Sequence, residues 1–239
     1  METEIHSSPE ILRHTESTKN YYRSHTLSLI AQFIFGGLAK IITRLFWAKV
    51  VVKTKTDLVN CPLPVLMVAN HKSYYDSMVI NSSLPLFSSL RPIRFMSADR
   101  FFVNPFFRFI FTLVGSYPAF YKAGIERSLR IPDMLLKQGR FVQLFPEGRC
   151  VRDDTIGVGK IGAATLALAN PNVYILPAGI ARSYTVRWRL FVVPTIQIHY
   201  GELFRLNEKY PSADTPEAIT EVIMAEIVTL HEAALQSKV

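Results

Sequence analysis

The chain contains several short, largely apolar runs, each ended by polar or turn-forming residues. The clearest of these runs are residues 64–69, 141–145, 173–181 and 190–200. Runs of this length and composition are typical of strands buried within a sheet. Apolar residues recur at helical spacing around residues 160–170 and from about 215 to 235. Strands that alternate with helices predict an α/β fold.

Hydrophobicity also divides the chain into three parts. Residues 1–23 are polar and lack a basic start followed by an apolar run, so they predict an N-terminal arm, not a secretory signal. Residues 24–39 contain no Asp, Glu, Lys or Arg, but this run is short for a bilayer crossing. We therefore expect a membrane-associated helical segment over residues 24–59, lying in the lipid interface. One α/β domain would follow over residues 60–239.

A second apolar segment, residues 101–111, holds six aromatic side chains beside one arginine. We expect both this segment and residues 24–39 to contact lipid. The alternative is burial in the protein core or at a dimer interface, because periodicity does not distinguish lipid from protein as the apolar neighbour.

Composition limits the class of partner. The 239 residues carry a formal net charge of +8, which favours nucleic acid, anionic lipid or the phosphates of coenzyme A. An apolar fraction of 49% with 16 Phe is high for a soluble nucleic-acid-binding protein, so we expect a membrane surface and no nucleic acid. Cys61 and Cys150 lie far apart and indicate neither a disulfide framework nor a zinc site. A reducing, cytoplasmic setting is therefore expected.

A histidine near the end of a predicted strand is the first candidate for chemistry. It belongs to the segment Asn70-His71-Lys72-Ser73-Tyr74-Tyr75-Asp76. Residues five apart differ by about 140° on an ideal helix, so the two side chains meet only if Asp76 begins a helix that follows His71. The imidazole would then act as a general base, with the carboxylate fixing its tautomer. Alternatively, Asp76 only caps the helix, since Ser73 to Asp76 also fits a capping box.

A second polar segment follows the run 141–145. It reads Pro146-Glu147-Gly148-Arg149 and predicts a turn at a strand end, where the sites of α/β proteins lie. Arg149 suits a phosphate as a planar donor, while Glu147 suits a glycerol hydroxyl or would hold Arg149. The alternative is a surface turn with a solvated ion pair.

The two segments, in this order and at this separation, resemble those of the glycerolipid acyltransferase family, which includes 1-acylglycerol-3-phosphate acyltransferases. The resemblance extends to Lys160-Ile161-Gly162 and Ile175-Leu176-Pro177-Ala178, and it covers about residues 60–202. It implies a glycerol-3-phosphate acyltransferase-like fold, which is a single domain with a mixed central sheet flanked by helices. Residues 60–239 would then form the catalytic domain.

The resemblance also implies a role for each matching residue. His71 would be the catalytic base and Asp76 the aspartate that orients it. Glu147, Gly148 and Arg149 would bind the acceptor substrate.

Two residues depart from the family pattern. Many members continue Phe-Pro-Glu-Gly-Thr-Arg-Ser, whereas Arg149 of this chain arrives one residue early. Lys122 stands where members carry an arginine, and it would supply charge to the substrate without a bidentate fork.

From Ser77 to Ile125 the only acid is Asp99, against five basic residues, an imbalance that favours a phosphate-bearing substrate.

The implied reaction transfers a fatty acyl group from acyl-CoA or acyl-carrier protein to the free hydroxyl of a lysophospholipid. The favoured acceptor is 1-acylglycerol 3-phosphate, which gives phosphatidic acid. Backbone N–H groups near the helix start would stabilise the oxyanion, and neither a metal nor another cofactor is expected. The nearest alternatives are acylation of glycerol 3-phosphate or of another lysophospholipid. A non-catalytic lipid-binding protein at the membrane surface is the alternative from another class.

Two other mechanisms are disfavoured by the sequence. Residues 157–162 match Gly-x-Gly-x-x-Gly, but no strand directly precedes them and no acid follows before residue 202, so they predict a flexible loop beside the site instead of a dinucleotide site. Covalent catalysis would need Cys150 as the nucleophile, because no Gly-x-Ser-x-Gly segment occurs. A lone cysteine at a strand end is usually structural, so we expect direct attack by the acceptor.

Overall fold

The structure, a computed structural model, describes residues 25–42, 49–120, 123–185 and 195–237. Within these residues lie eight strands, β1 (Lys49–Thr54), β2 (Val65–Ala69), β3 (Phe95–Ser97), β4 (Ser116–Pro118), β5 (Phe141–Leu144), β6 (Tyr174–Ala181), β7 (Thr195–Tyr200) and β8 (Phe204–Arg205). The accompanying α-helices are α1 (His25–Ile42), α2 (Asp76–Ser83), α3 (Pro105–Leu113), α4 (Ile125–Lys137), α5 (Gly162–Ala169), α6 (Leu206–Lys209) and α7 (Pro216–Gln236). The predicted α/β class is therefore confirmed.

The strands form one mixed sheet in the order β1-β7-β6-β2-β5-β3-β4, with β8 paired to β6. Neighbouring strands are parallel from β6 to β4 and between β1 and β7, whereas β7 and β8 run antiparallel to β6. This confirms the mixed central sheet. Because β2, β3 and β5 are parallel, their carboxyl ends meet at one edge of the sheet. Residues 70–76 and 145–149 both begin at that edge.

Strand β2 shows why its sequence is apolar at every position. Leu66 and Val68 pack into the core cluster beneath α4, α5 and α7, while Val65, Met67 and Ala69 pack into the cluster on the other face. All five are fully buried. Successive side chains of a strand point to opposite faces, so a strand covered on both faces needs an apolar residue at each position. The predicted buried strand over 64–69 is confirmed.

Helix α1 is attached to the sheet domain by a buried amide. Gln32 Nε2 donates to the carbonyl oxygens of Ile93 (2.7 Å) and Val114 (2.9 Å), and Gln32 Oε1 accepts from the Ile93 N–H (2.7 Å). These bonds satisfy backbone groups that would otherwise be buried without partners. The opposite face of α1 leaves four large apolar side chains exposed, namely Leu27, Ile30, Phe33 and Ile34.

The segment over residues 24–59 is not helical throughout, which corrects the prediction. Helix α1 ends at Ile42, and Lys49–Thr54 form β1, a strand paired in parallel with β7. The run Val50-Val51-Val52 explains the difference, because β-branched side chains suit a pleated, half-buried strand. The predicted arm over residues 1–23 and the aromatic residues Phe46 and Trp47 lie outside the described residues.

Helices of the described ranges fall short of the length and apolar character that crossing a bilayer requires.

The aromatic segment 101–111 is divided between core and surface. It contains most of α3 and the end of a 3₁₀ helix, Asp99–Phe102. Phe102 is buried and Phe101 stacks on Phe111 with ring centroids 4.6 Å apart, so burial accounts for part of the segment. The outer face of α3 leaves Phe106, Phe107 and Phe109 more than half exposed.

Candidate active site

His71 lies two residues beyond the end of β2, and it lines a cavity at this edge of the sheet. Its Nδ1 is 2.9 Å from Oδ2 of Asp76, the first residue of α2. The imidazole stacks on the ring of Phe145, with centroids 4.1 Å apart and planes 6° from parallel. The prediction that a strand end and a helix start bring His71 and Asp76 together is confirmed.

Asp76 is fully buried, and its carboxylate has donors in addition to His71. Oδ2 accepts from the backbone N–H groups of Lys72 (2.6 Å) and Ser73 (2.8 Å). Oδ1 accepts from the hydroxyls of Ser73 (2.9 Å) and Ser183 (2.5 Å). Because the carboxylate acts as an acceptor, Nδ1 of His71 donates and Nε2 keeps its lone pair. Nε2 is therefore the ring atom able to take a proton from a substrate.

The capping box considered for Ser73 to Asp76 is not formed, because Tyr75 is the N-cap residue and makes no side-chain cap hydrogen bond. Ser73 Oγ accepts from the Tyr75 N–H, while the Asp76 carboxylate accepts from the Ser73 N–H. The Asp76 carboxylate thus holds the turn that precedes α2 and orients His71. The N–H groups of residues 71, 72, 73 and 75 all donate within the protein. These N–H groups are therefore not the oxyanion donors that we expected near the helix start.

Glu147 does not line the cavity, which differs from its expected contact with the acceptor. Its side chain is almost completely buried. Oε1 accepts from the N–H of His71 and Oε2 accepts from the N–H of Gly157, each at 2.7 Å. A buried carboxylate needs donors on both oxygens, and here the backbone supplies them. Glu147 thereby holds the backbone of His71 against the loop that follows Arg149.

The loop over residues 150–161 is bound to the histidine segment at several points. The Val151 N–H donates to the His71 carbonyl oxygen at 2.8 Å, and the buried Lys72 ammonium donates to the Thr155 carbonyl oxygen. Burial lowers the pKa of Lys72. A Cβ on Gly157 would lie 2.7 Å from Glu147 Oε2, so this glycine is required by close packing, not by the flexibility that we had expected.

The cavity in front of His71 has a volume of about 1130 Å³. Its lining includes both apolar and basic side chains. The apolar ones include Met78, Met96, Phe101, Ile110, Phe111 and Leu129, and the basic ones are Arg100, Arg149, Arg152 and Lys160. No Asp or Glu side chain from the described part of the chain lines the cavity. A site of this kind suits a ligand that combines a hydrocarbon chain with an anionic group.

Two of the other predicted acceptor-binding residues lie at the cavity. Gly148 and Arg149 line the cavity, and Arg149 is exposed to it. Gly148 has a φ of +62°, and a Cβ there would approach Lys160 Nζ to 3.0 Å, so glycine allows the lysine to lie beside the turn. Lys122 lies outside the described residues, and its role stays a prediction.

Three site residues were not assigned from the sequence. Lys160 had a signal, since it belongs to the lysine-glycine segment on which the resemblance partly rests. Arg152, whose guanidinium lies 4.7 Å from the ring centroid of Tyr74, had none beyond its position near Arg149. Ser183 lies 107 residues from Asp76, and no local pattern connects the two.

The geometry also bears on covalent and metal chemistry. Cys150 lines the cavity, but burial, and then the neighbouring Asp76, raises the pKa of its thiol. A protonated thiol is a weak nucleophile, which disfavours the covalent alternative.

In the described ranges no group of three His, Cys, Asp or Glu side chains is placed to hold a metal ion. The absence of a cofactor stays a prediction.

Comparison with known proteins shows the family of this chain. The sequence pattern of the Acyltransferase family matches residues 49–181, just over half of the chain. The chain therefore belongs to the acyltransferase family. It is 27% identical over 169 residues to the probable 1-acyl-sn-glycerol-3-phosphate acyltransferase of Mycoplasma genitalium, a match that covers 70% of this chain and 62% of that protein.

A solved structure has the same fold. It is the 1-acyl-sn-glycerophosphate (LPA) acyltransferase PlsC from Thermotoga maritima, with a TM-score of 0.69 and 18% sequence identity. The superposition covers 97% of this chain and 89% of the other.

The two hydrogen bonds of Glu147 generate a testable prediction. Glu147→Gln replaces one acceptor oxygen by an NH₂ group that faces a backbone N–H and cannot accept from it. We expect the free energy of unfolding, measured with urea, to fall by about 1–3 kcal/mol, the usual cost of a buried unsatisfied group. The exposed Glu202→Gln is the control, with an expected change within about 0.5 kcal/mol. Equal losses in the two variants would contradict the bracing role of Glu147.

Proposed function

We propose that this member of the acyltransferase family transfers a fatty acyl group from a thioester donor to the free hydroxyl of a lysophospholipid. The best-supported acceptor is 1-acylglycerol 3-phosphate, which would give phosphatidic acid. The observation that carries the proposal is the hydrogen bond of 2.9 Å between His71 Nδ1 and Asp76 Oδ2, beside a cavity lined by apolar and by basic side chains.

In the proposed reaction, Nε2 of His71 removes the proton from the acceptor hydroxyl as the oxygen attacks the thioester carbonyl. Asp76 stabilises the imidazolium that forms. When the tetrahedral intermediate collapses, the carbon–sulfur bond breaks and the thiolate takes the proton from the imidazolium. The products are the new ester and the free thiol, and His71 returns to its neutral state. Asp76 stays an acceptor throughout.

The basic side chains that line the cavity account for binding of the acceptor's phosphate. Arg149 offers a planar fork of donors, and Lys160 lies beside Gly148 at the same turn. Arg152 adds a third cation, and we keep Lys122 as a further contributor. Phosphate is favoured because no carboxylate from the described residues opposes these cations across the cavity.

The apolar side chains that line the cavity account for binding of the fatty acyl chain of a donor or acceptor. Both acyl-CoA and acyl-carrier protein fit a reaction that needs only a thioester, and the mechanism requires no metal or other cofactor. We further propose that the protein acts at the cytoplasmic face of a membrane. The exposed apolar faces of α1 and α3 support this, since such faces favour the lipid interface.

Replacing His71 tests the base directly. His71→Ala should lower turnover of acyl-CoA and 1-acylglycerol 3-phosphate at least about 10²-fold, the usual contribution of a general base. Turnover is followed by thiol release, and circular dichroism checks that the variant is folded. Near-normal turnover in folded His71→Ala would refute the mechanism.

Arg149 tests the acceptor assignment. Arg149→Ala should raise KM for 1-acylglycerol 3-phosphate about tenfold or more, because a charge-assisted hydrogen bond is worth about 1.5–3 kcal/mol. Its effect on a neutral monoacylglycerol acceptor should be much smaller. Arg130→Ala, at an exposed position that does not line the cavity, serves as the matched control. An equal loss with both acceptors would argue against a contact with phosphate.

The membrane proposal is tested with vesicles. Replacing both Phe106 and Phe107 by Ser should weaken co-sedimentation with anionic phospholipid vesicles at least about tenfold, because two aromatic side chains lose burial in the interface. Leu168→Ser removes an apolar side chain that is 41% exposed on another helix and should leave vesicle binding unchanged. If both proteins lost binding equally, α3 would not be the contact surface.

A further inference from the structure

Helix α2 contributes two uncharged polar side chains to the cavity lining. Ser77 and Asn81 both line the cavity, as does Met78. Residues four apart lie on the same face of a helix, about 6 Å apart along its axis. Because α2 begins beside His71, Ser77 lies near the reacting centre and Asn81 lies one turn further away.

The orientation of the Asn81 side chain follows from its partner. Asn81 Oδ1 accepts from Arg91 Nη1 at 2.7 Å. A guanidinium group only donates, so the atom that faces it is the amide oxygen. The Nδ2 group therefore points away from Arg91, and it makes no hydrogen bond to another described residue. Asn81 thus presents two N–H donors at the cavity wall.

Arg91 makes this amide a stronger donor. The guanidinium is buried, and its hydrogen bonds go to Asn81 Oδ1 and to the neutral carbonyl oxygens of Asn81, Leu84 and Pro85. No carboxylate from the described ranges forms an ion pair with it. A buried cation bonded to the amide oxygen polarises the amide and strengthens its N–H donors.

The Ser77 hydroxyl accepts a hydrogen bond from a buried glutamine. Gln143 lies on β5, whose other residues are apolar and whose side chains are all buried. Its Nε2 donates to Ser77 Oγ at 3.1 Å. The Ser77 hydroxyl accepts this bond, so its own proton is available, and it has no acceptor among the described residues. This bond satisfies the NH₂ group of an amide buried within an apolar strand, whereas Gln143 Oε1 has no hydrogen-bond partner among the described residues.

We propose that Ser77 and Asn81 form a subsite for an oxygen atom carried on the acyl chain. An acyl donor with an oxo or hydroxyl group would accept hydrogen bonds from the two side chains, whereas a plain hydrocarbon chain would cover these donors without replacing their bonds to water. The enzyme would therefore prefer an oxygenated acyl thioester to a saturated one of equal length. This inference rests on the acyl transfer proposed above.

The test is a competition between donors in one tube. Tetradecanoyl thioester competes with its oxo or hydroxy derivative, with the oxygen placed in turn at carbons 3 to 9 of the chain. Coenzyme A and acyl-carrier protein thioesters are tested in parallel, with 1-acylglycerol 3-phosphate as acceptor, and mass spectrometry measures the product ratio. This ratio reports relative kcat/KM and does not depend on the folded fraction of a variant. Wild-type protein should favour the oxygenated donor about fivefold or more at one or more positions, consistent with one hydrogen bond of about 1 kcal/mol.

Variants then separate this subsite from general packing. Ser77→Ala should lower the preference for oxo and hydroxy donors about fivefold. Asn81→Asp keeps an oxygen for Arg91 but removes both N–H donors, so it should lower the preference for an oxo donor and spare that for a hydroxy donor, which can donate to the carboxylate. Ser82→Ala is the matched control on the same helix, because Ser82 Oγ bonds to the Val79 carbonyl oxygen and does not line the cavity. The control should leave every ratio unchanged.

Two different failures are distinguishable. If tetradecanoyl thioester is transferred but the wild-type protein shows no preference at any position, the subsite is refuted and acyl transfer stands. Ratios that are the same in Ser77→Ala and Asn81→Asp as in the wild type would also refute it. If neither form of tetradecanoyl thioester is transferred, the proposed function itself fails, and the subsite fails with it.

Discussion

The carboxylate of Asp76 is the group on which the geometry of the site depends. It is fully buried and accepts hydrogen bonds from the His71 ring, from two backbone N–H groups and from the hydroxyls of Ser73 and Ser183. A carboxylate removed from water needs such donors, because an unpaired buried charge costs several kcal/mol. The same bonds hold the turn that precedes α2, orient the imidazole and join the chain beyond β6 to the site. The backbone of this turn and the catalytic geometry are therefore held by one set of contacts.

The charge around the cavity is positive because the nearby acidic side chains bind donors within the protein and do not line the cavity. Asp76 and Glu147 lie behind His71, and their oxygens accept from donors within the protein. The cations Arg149 and Lys160 line the cavity instead. A carboxylate in the wall would repel a phosphate, so binding of an anionic acceptor depends on this separation as much as on the arginine and lysine themselves. The glycine-rich loop contributes by letting Gly157 approach Glu147 closely.

The sequence predicted the site contacts between residues that are close together in the chain, and it did not predict those between distant residues. His71 and Asp76 are five residues apart, so a strand end followed by a helix was enough to place them together. Glu147 was predicted as an acceptor-binding residue, but a short motif does not show whether a side chain points into a cavity or behind it. Ser183 reaches Asp76 across 107 residues, and no local pattern contains that contact.

The sequence by itself determined the buried strand β2, the turn after β5, the histidine and aspartate at a strand end and helix start, and membership of an acyltransferase family. These follow from periodicity, turn chemistry and motif, which act over a few residues. Tertiary structure alone decided that Lys49–Thr54 pairs with β7, that Glu147 braces the backbone, and that Ser77 and Asn81 line the cavity. Each of these depends on pairing or packing between distant segments, because burial and hydrogen bonding are set by whatever the completed fold brings alongside.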